Sequence, residues 1–213
     1  MTTPRGKFIS LEGGEGAGKS TLLAGLCEGI ARQGIDLVRT REPGGTSVGE
    51  AVRAIVLDPT QGELAAETEL LLMFASRAQL VREVIEPALR AGQWVLCDRF
   101  ADASYAYQGG GRGQPAARIA ELEGWACASV QPDLTLLLDL PVATGRARAA
   151  GRGDVDRIEA EADGFFERVR ATYRERAAAE PRRFRVIDAS QSPKHVLNAA
   201  IQALADLIGA KHA

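Results

Sequence analysis

Cysteine, histidine and lysine are scarce in this chain of 213 residues, which has three cysteines, two histidines and four lysines. Cys27, Cys97 and Cys127 are odd in number, far apart and without a CxxC pair. Neither a disulfide framework nor a zinc site is expected from them, and a reducing cytosol suits them best. Both histidines, His195 and His212, fall near the end, which leaves the rest of the chain without the other common zinc donor. No apolar run approaches the roughly 20 residues of a membrane helix, and no signal-like leader is visible. A cytoplasmic protein that does not enter membranes is predicted. Basic residues are not in excess either: 26 Lys and Arg stand against 28 Asp and Glu, for a formal charge of −2. General nucleic-acid binding is therefore not expected, and any working positive charge must be clustered.

With 46% apolar and 25% charged residues, the chain has enough material for one substantial core. No repeat, low-complexity tract or linker recommends a cut, so residues 1–213 read as a single domain. Short β-like apolar runs occur at residues 7–11, 35–39, 93–97, 134–140 and 184–188. Segments with helical spacing lie between or after them, at roughly 19–33, 47–57, 64–91, 115–130, 141–150, 158–179 and 193–209. Strands alternating with helices predict an α/β fold with a parallel five-stranded sheet flanked by helices on both faces. Ligands of such sheets sit at the carboxyl ends of the strands.

The first β-like run ends in GGEGAGKS, residues 13–20, which fits G-x-x-x-x-G-K-[ST] between a strand and a helix. This is the P-loop NTPase-type arrangement. Gly13, Gly14, Glu15, Gly16, Ala17 and Gly18 can curl so that successive N–H groups meet phosphate oxygens at the start of a helix. Lys19 would hold the β and γ phosphates, the Ser20 hydroxyl would ligate Mg²⁺, and Thr21 follows in the same helix start. ATP with Mg²⁺ is the expected cofactor pair. A GTP switch reads guanine with Asn-Lys-x-Asp, but the only asparagine, Asn198, is followed by alanine. A mechanical ATPase needs a second, water-activating acid, and neither size nor motif points there. A small-molecule kinase needs an acceptor pocket, and four departures from core patterning resemble one.

In the helix predicted over 64–91, Leu70, Met73, Phe74, Arg77, Val81, Val84, Ile85 and Ala88 form an apolar stripe interrupted by Arg77. A buried guanidinium needs an anion or acceptors. A structural salt bridge would serve; a ligand-facing role is favoured. Residues 95–113, VLCDRFADASYAYQGGGRG, stop a strand on Asp98 and Arg99. Asp98 stands where phosphate-loop proteins hold Mg²⁺ and its waters, and Arg99 could clamp an acceptor phosphate with its fork. The alternative is an ion pair at the strand end. The GGGRG that closes the stretch reads as a flexible turn. REPGGT, residues 41–46, supplies Pro43 and a glycine pair for backbone close to a ligand, or an ordinary turn. RARAAGRGDVDR, residues 146–157, is either a solvated charged helix end or a lid carrying Arg146, Arg148 and Arg152.

Together these groups resemble the thymidylate kinase family. The likeness runs nearly end to end through EGGEGAGKST, TREPGGT, LLMFASRAQLV, DRFADASYAYQGGGRG, DRIE and FFERVRATYRE. It is greatest to the bacterial subclass, whose phosphate loop lacks an arginine that the lid supplies: here Gly16 stands in the loop and the arginines in the lid, approximately 146–157. The resemblance implies an enzyme passing the γ-phosphoryl group of ATP to dTMP, and a homodimer. It implies that Glu12 and Asp98 lie near the metal or the sugar and that Arg99 binds the acceptor phosphate. Arg148 and Arg152 would serve the transferring group. Phe74 would stack on thymine, Arg77 would donate to O4, Ser104 or Gln108 would meet the N3 edge, and Tyr107 would crowd the ribose 2′ position. The family aromatic usually precedes the arginine by four residues, which here is Met73, so the base-covering residue is Met73 or Phe74. DASQSP after Ile187 is the candidate adenine loop. Another nucleoside monophosphate kinase and a non-catalytic nucleotide-binding regulator are the alternatives.

Overall fold

A computed structural model describes residues 4–150 and 155–209. Its five strands are β1 (Phe8–Gly13), β2 (Leu37–Arg41), β3 (Trp94–Asp98), β4 (Leu134–Asp139) and β5 (Phe184–Asp188), all parallel in the order β2-β3-β1-β4-β5. The predicted α/β fold is the one observed. β1 is buried along its whole length, and β3 and β4 are buried except at their last residue. That is why these strands read as largely apolar runs, with the buried Ser10 and Thr135 hydroxyls bonding each other at 2.9 Å. Side chains nonetheless leave in alternate directions. Ile9 and Leu11 join Leu22, Leu26 and Ile30 of α1 (Lys19–Arg32) in one core, while Phe8 joins Val95, Cys97 and Phe100 in another.

Five of the predicted helices are found within a few residues of their expected ends, and the one predicted over 64–91 is divided into three segments. Besides α1 the five include α2 (Ser47–Leu57), α6 (Ala116–Ala126), α7 (Val142–Ala149) and α9 (Pro193–Gly209), while the divided helix opens with α3 (Ala66–Leu80). α3 runs on through a π-turn (Val81–Ile85) into α4 (Glu86–Arg90). Pro87 sits at the start of α4 and has no N–H to return to the preceding turn, so the wider turn falls where the regular ladder is broken. α8 (Asp163–Ala179) begins five residues later than expected, the preceding stretch forming turns.

One expectation is corrected. Gly109–Gly111 is not a flexible turn: α5 (Ala101–Ser104) continues into a π-helix (Tyr105–Gly111) lying against α8. A Cβ on Gly110 would come within 2.2 Å of Thr172 Oγ1, and one on Gly111 within 2.4 Å of the Phe165 ring. The glycines let two helices approach more closely than side chains permit.

β1 pairs with β3 on one side and β4 on the other, so the chain departs in opposite directions from the sheet's centre. Such a reversal opens a crevice beyond the carboxyl ends. The ends of β1, β3 and β2 meet there: Arg99 N donates to Leu11 O at 3.0 Å, and Glu42 N donates to Asp98 O at 2.9 Å.

Candidate active site

The phosphate loop is shaped by its glycines. Gly16 and Gly18 have φ of 69° and 91°, the left-handed region that side chains resist, and Gly18 caps α1. Gly16 is also pressed against α7, where a Cβ would meet Gly145 O at 2.0 Å. A Cβ on Gly145 would in turn meet Glu15 O at 2.3 Å, so loop and helix share a side-chain-free seam. Lys19 Nζ donates at 3.0 Å to the carbonyls of Gly13 and Gly14. Burial, then the nearby Arg99, pushes its pKa down.

Asp98 and Arg99 do not pair as a strand-end ion pair. Arg99, with φ of 70°, turns away from the strand direction, and its guanidinium is 2.6 Å from Glu15 Oε1. It also donates to Gly13 O at 3.0 Å and to Tyr173 Oη at 3.3 Å, and lies over the Tyr107 ring. Tyr107 Oη donates to the same Glu15 oxygen at 2.8 Å. The Glu15 side chain, expected on the ATP side, thus meets the arginine proposed for the acceptor. Asp98 Oδ1 is buried with no hydrogen-bond partner among the described residues.

A cavity of about 370 Å³ lies over these groups. Of the expected site residues it is lined by Glu15, Gly16, Ala17, Gly18, Lys19, Ser20, Thr21, Pro43, Met73, Asp98, Arg99, Tyr107 and Gln108. Gly13 and Gly14 approach through their carbonyls on Lys19.

Five expected residues stand elsewhere. Phe74 does not line the cavity; it packs with Leu70, Tyr105 and Ile119 and lies 4.5 Å from the Arg77 guanidinium. A rotation of 100° per residue about the helix turns Met73 inward and its neighbour sideways. Arg77 is fully buried and satisfied within the protein, donating to Glu42 Oε2 at 2.8 Å, Ser104 Oγ at 3.0 Å and Phe100 O at 3.1 Å. Burial is the largest single influence and works against its charge, but Glu42, Cys127 and Glu123 together prevail and raise its pKa. The geometry shows the structural salt bridge, with Ser104 taken up in it, and neither Arg77 nor Ser104 lines the cavity. Glu12 is a second-layer residue, not a cavity carboxylate. It accepts from Phe100 N and Tyr173 Oη, both at 2.7 Å, and burial followed by the charge of Asp102 pushes its pKa up to about 8. Arg148 points to the end of β5, donating to Ala189 O at 2.8 Å, because its face of α7 turns to those carbonyls. Arg152 lies outside the described residues.

Several cavity residues escaped the sequence reading. Arg53 lines the wall and donates to Pro43 O at 3.2 Å. Its spacing, four after buried Gly49 and three before buried Val56, was the available signal. Arg41 and Glu42 of REPGGT, Asp156, Ile158 and Glu159 of DRIE, and Leu57 and Ala103 complete the lining.

The residues fit Mg²⁺. Among the described residues no group of three or more His, Cys, Asp or Glu could hold a metal. One unpartnered carboxylate oxygen on Asp98 and the exposed Ser20 hydroxyl, both on the cavity, match an ion that keeps waters and takes the rest of its ligands from phosphates.

A phosphate loop at the switch point of a parallel sheet, facing an arginine-bearing strand end across one cavity, defines a P-loop protein of the nucleotide-binding phosphotransferase class. The family profile for thymidylate kinase matches residues 11–200. A thymidylate kinase of Alkalilimnicola ehrlichii is 57% identical over 205 residues, 96% of this chain and 94% of that one. Another, of Ectopseudomonas mendocina, is 57% identical over 187 residues, 88% and 89% of the two chains. The crystal structure of thymidylate kinase from Ehrlichia chaffeensis superposes with a TM-score of 0.76 at 31% identity, over 94% of this chain and 99% of that one. The chain belongs to the thymidylate kinase family.

Proposed function

We propose that this protein transfers the γ-phosphoryl group of ATP to dTMP, giving ADP and dTDP for dTTP supply. The observation that carries the reading is a single cavity, in a chain of this family, with Lys19 of the phosphate loop on one side and the Arg99 fork on the other. Lys19 and the loop N–H groups would hold ATP, and Ser20 and Asp98 would hold Mg²⁺. Mg²⁺, when bound, would offset phosphate charge. Arg99 would exchange Glu15 for the acceptor phosphate. Met73 and Pro43 would flank the base, Gln108 would meet its N3 edge, and Tyr107 would crowd the 2′ position.

The acceptor phosphate has a second pKa of about 6 and needs little help from a base at neutral pH. The barrier is repulsion between two polyanions. Lys19 and Arg99 lower it from opposite sides and align the oxygens, so catalysis is positioning plus electrostatics. The same reading takes residues 1–213 as one domain whose segment 146–157 closes as a lid, with Arg152 reaching the transferring group. It also takes the protein as a cytoplasmic homodimer. Among the described residues no helix is long and apolar enough to cross a membrane.

Incubating the chain with ATP, Mg²⁺ and a panel of nucleoside monophosphates and measuring ADP tests the reading. dTMP should give the highest kcat/KM, with dUMP next. A different preferred monophosphate overturns the substrate; no turnover overturns the reaction.

A further inference from the structure

Glu69 of α3 is a fully buried carboxylate with no place in the reading above. Its Oε1 accepts from Gln108 Nε2 at 2.9 Å and lies 3.4 Å from Arg112 Nε. Its Oε2 pairs with Arg157 and lies 3.3 Å from an Arg112 terminal nitrogen. Burial alone would raise its pKa, but the bonds from Gln108 and Arg157 and the charge of Arg112 prevail and lower it. An ionised carboxylate can only accept. The Gln108 amide facing it must therefore present its NH₂ group. The other end of that amide, Oε1, is buried without a partner among the described residues, on a side chain that lines the cavity and is 1% exposed.

We propose that Glu69 is a positioning residue for base selection: by claiming Nε2 of Gln108 it turns Oε1 into the cavity as an obligate acceptor, favouring an N3–H pyrimidine over cytosine. The inference rests on the function proposed above. The N3 of thymine carries a proton and can donate to Oε1, whereas the N3 of cytosine is itself an acceptor and would leave two lone pairs opposed. A site built to receive a donor rejects a partner that lacks one because its own buried polar atom stays unpaired.

The test measures kcat and KM for dTMP and dCMP in the full chain, in Glu69→Gln, and in Arg112→Leu. In Glu69→Gln the new carbonyl faces the two arginines and the new NH₂ faces Gln108, so the Gln108 amide reverses and offers a donor to the cavity. The dTMP to dCMP ratio of kcat/KM should then fall at least about tenfold, through a raised KM for dTMP and a lowered KM for dCMP. Arg112→Leu keeps the Gln108 contact and should hold that ratio within about twofold, whatever its stability. If Glu69→Gln does not fold, Glu69→Asp keeps the charge but draws it back from Gln108, and the ratio should fall in the same direction. A ratio unchanged in the folded Glu69 variant, or lowered equally by Arg112→Leu, overturns the inference. A wild-type chain inert toward dTMP overturns the function and this inference together; one active on dTMP isolates the failure to Glu69.

Discussion

Arg99 adopts a left-handed backbone that a long side chain ordinarily avoids, at a cost of order 1–3 kcal/mol. What holds it there is the fork itself, gripped by Glu15, Gly13 O and Tyr173. Arg99→Ala should raise the KM for dTMP roughly 10–100-fold, the scale of one charge-assisted bidentate contact, with a smaller effect on ATP. Steady-state kinetics with each substrate varied in turn checks this, and an unchanged dTMP KM would remove Arg99 from the acceptor site. Glu12 makes a separate prediction. Its pKa rises from an ordinary 4.5 to about 8 on folding, so between those values the folded chain binds the extra proton. Its protonated form therefore supports folding fully below about pH 4.5, and that support is lost as pH rises toward 8. Glu12→Gln, which fixes the neutral state, should gain thermal stability relative to wild type as the pH is raised from 5 to 8. Melting curves run in parallel decide it.

At the level of elements, the seam between the π-helix and α8 supports one wall of the cavity. Tyr107 and Gln108 both sit on the π-helix, and Phe165 closes on Gly111 at a distance no Cβ tolerates. Gly111→Ala should cost about 1–3 kcal/mol by overpacking and also raise the dTMP KM by displacing those two side chains. A melt combined with kinetics tests both effects; loss of stability with the KM intact would uncouple the seam from the site. This seam also marks the limit of what could be read from the residues. The strands, the phosphate loop and most helices follow from periodicity, because each is dictated by local spacing and by burial on both sheet faces. Three adjacent glycines look like a turn unless the helix pressing on them is known, and that contact spans more than 50 residues of chain. Arg77 illustrates the same limit. Its place on an apolar face was plain, but Glu42, 35 residues away, is what claims it. Met73 and Phe74, neighbours in sequence, could be separated only once the direction of the cavity was fixed.

For the whole molecule, the proposed lid and pairing set the tests. Arg152→Ala should lower kcat about 100-fold or more while changing the KM for dTMP only a few-fold, since its stabilisation is expected in the transition state alone. A raised KM with kcat preserved would assign it to binding. Pairing is checked by sedimentation. Leu71 on α3 and Trp125 on the adjoining α6 are 57% and 83% exposed, large apolar side chains of the kind association covers, and Trp125→Glu should shift a dimer toward monomer. The contact between Gly16 and Gly145 reaches further than either. A side chain at position 16 would need both a left-handed residue and a displaced backbone on α7. A larger residue at position 16 is therefore expected to need a compensating change on α7. Positions 16 and 145 are tied together in the same way from both sides, so a side chain added at either one opens the seam between the phosphate loop and α7.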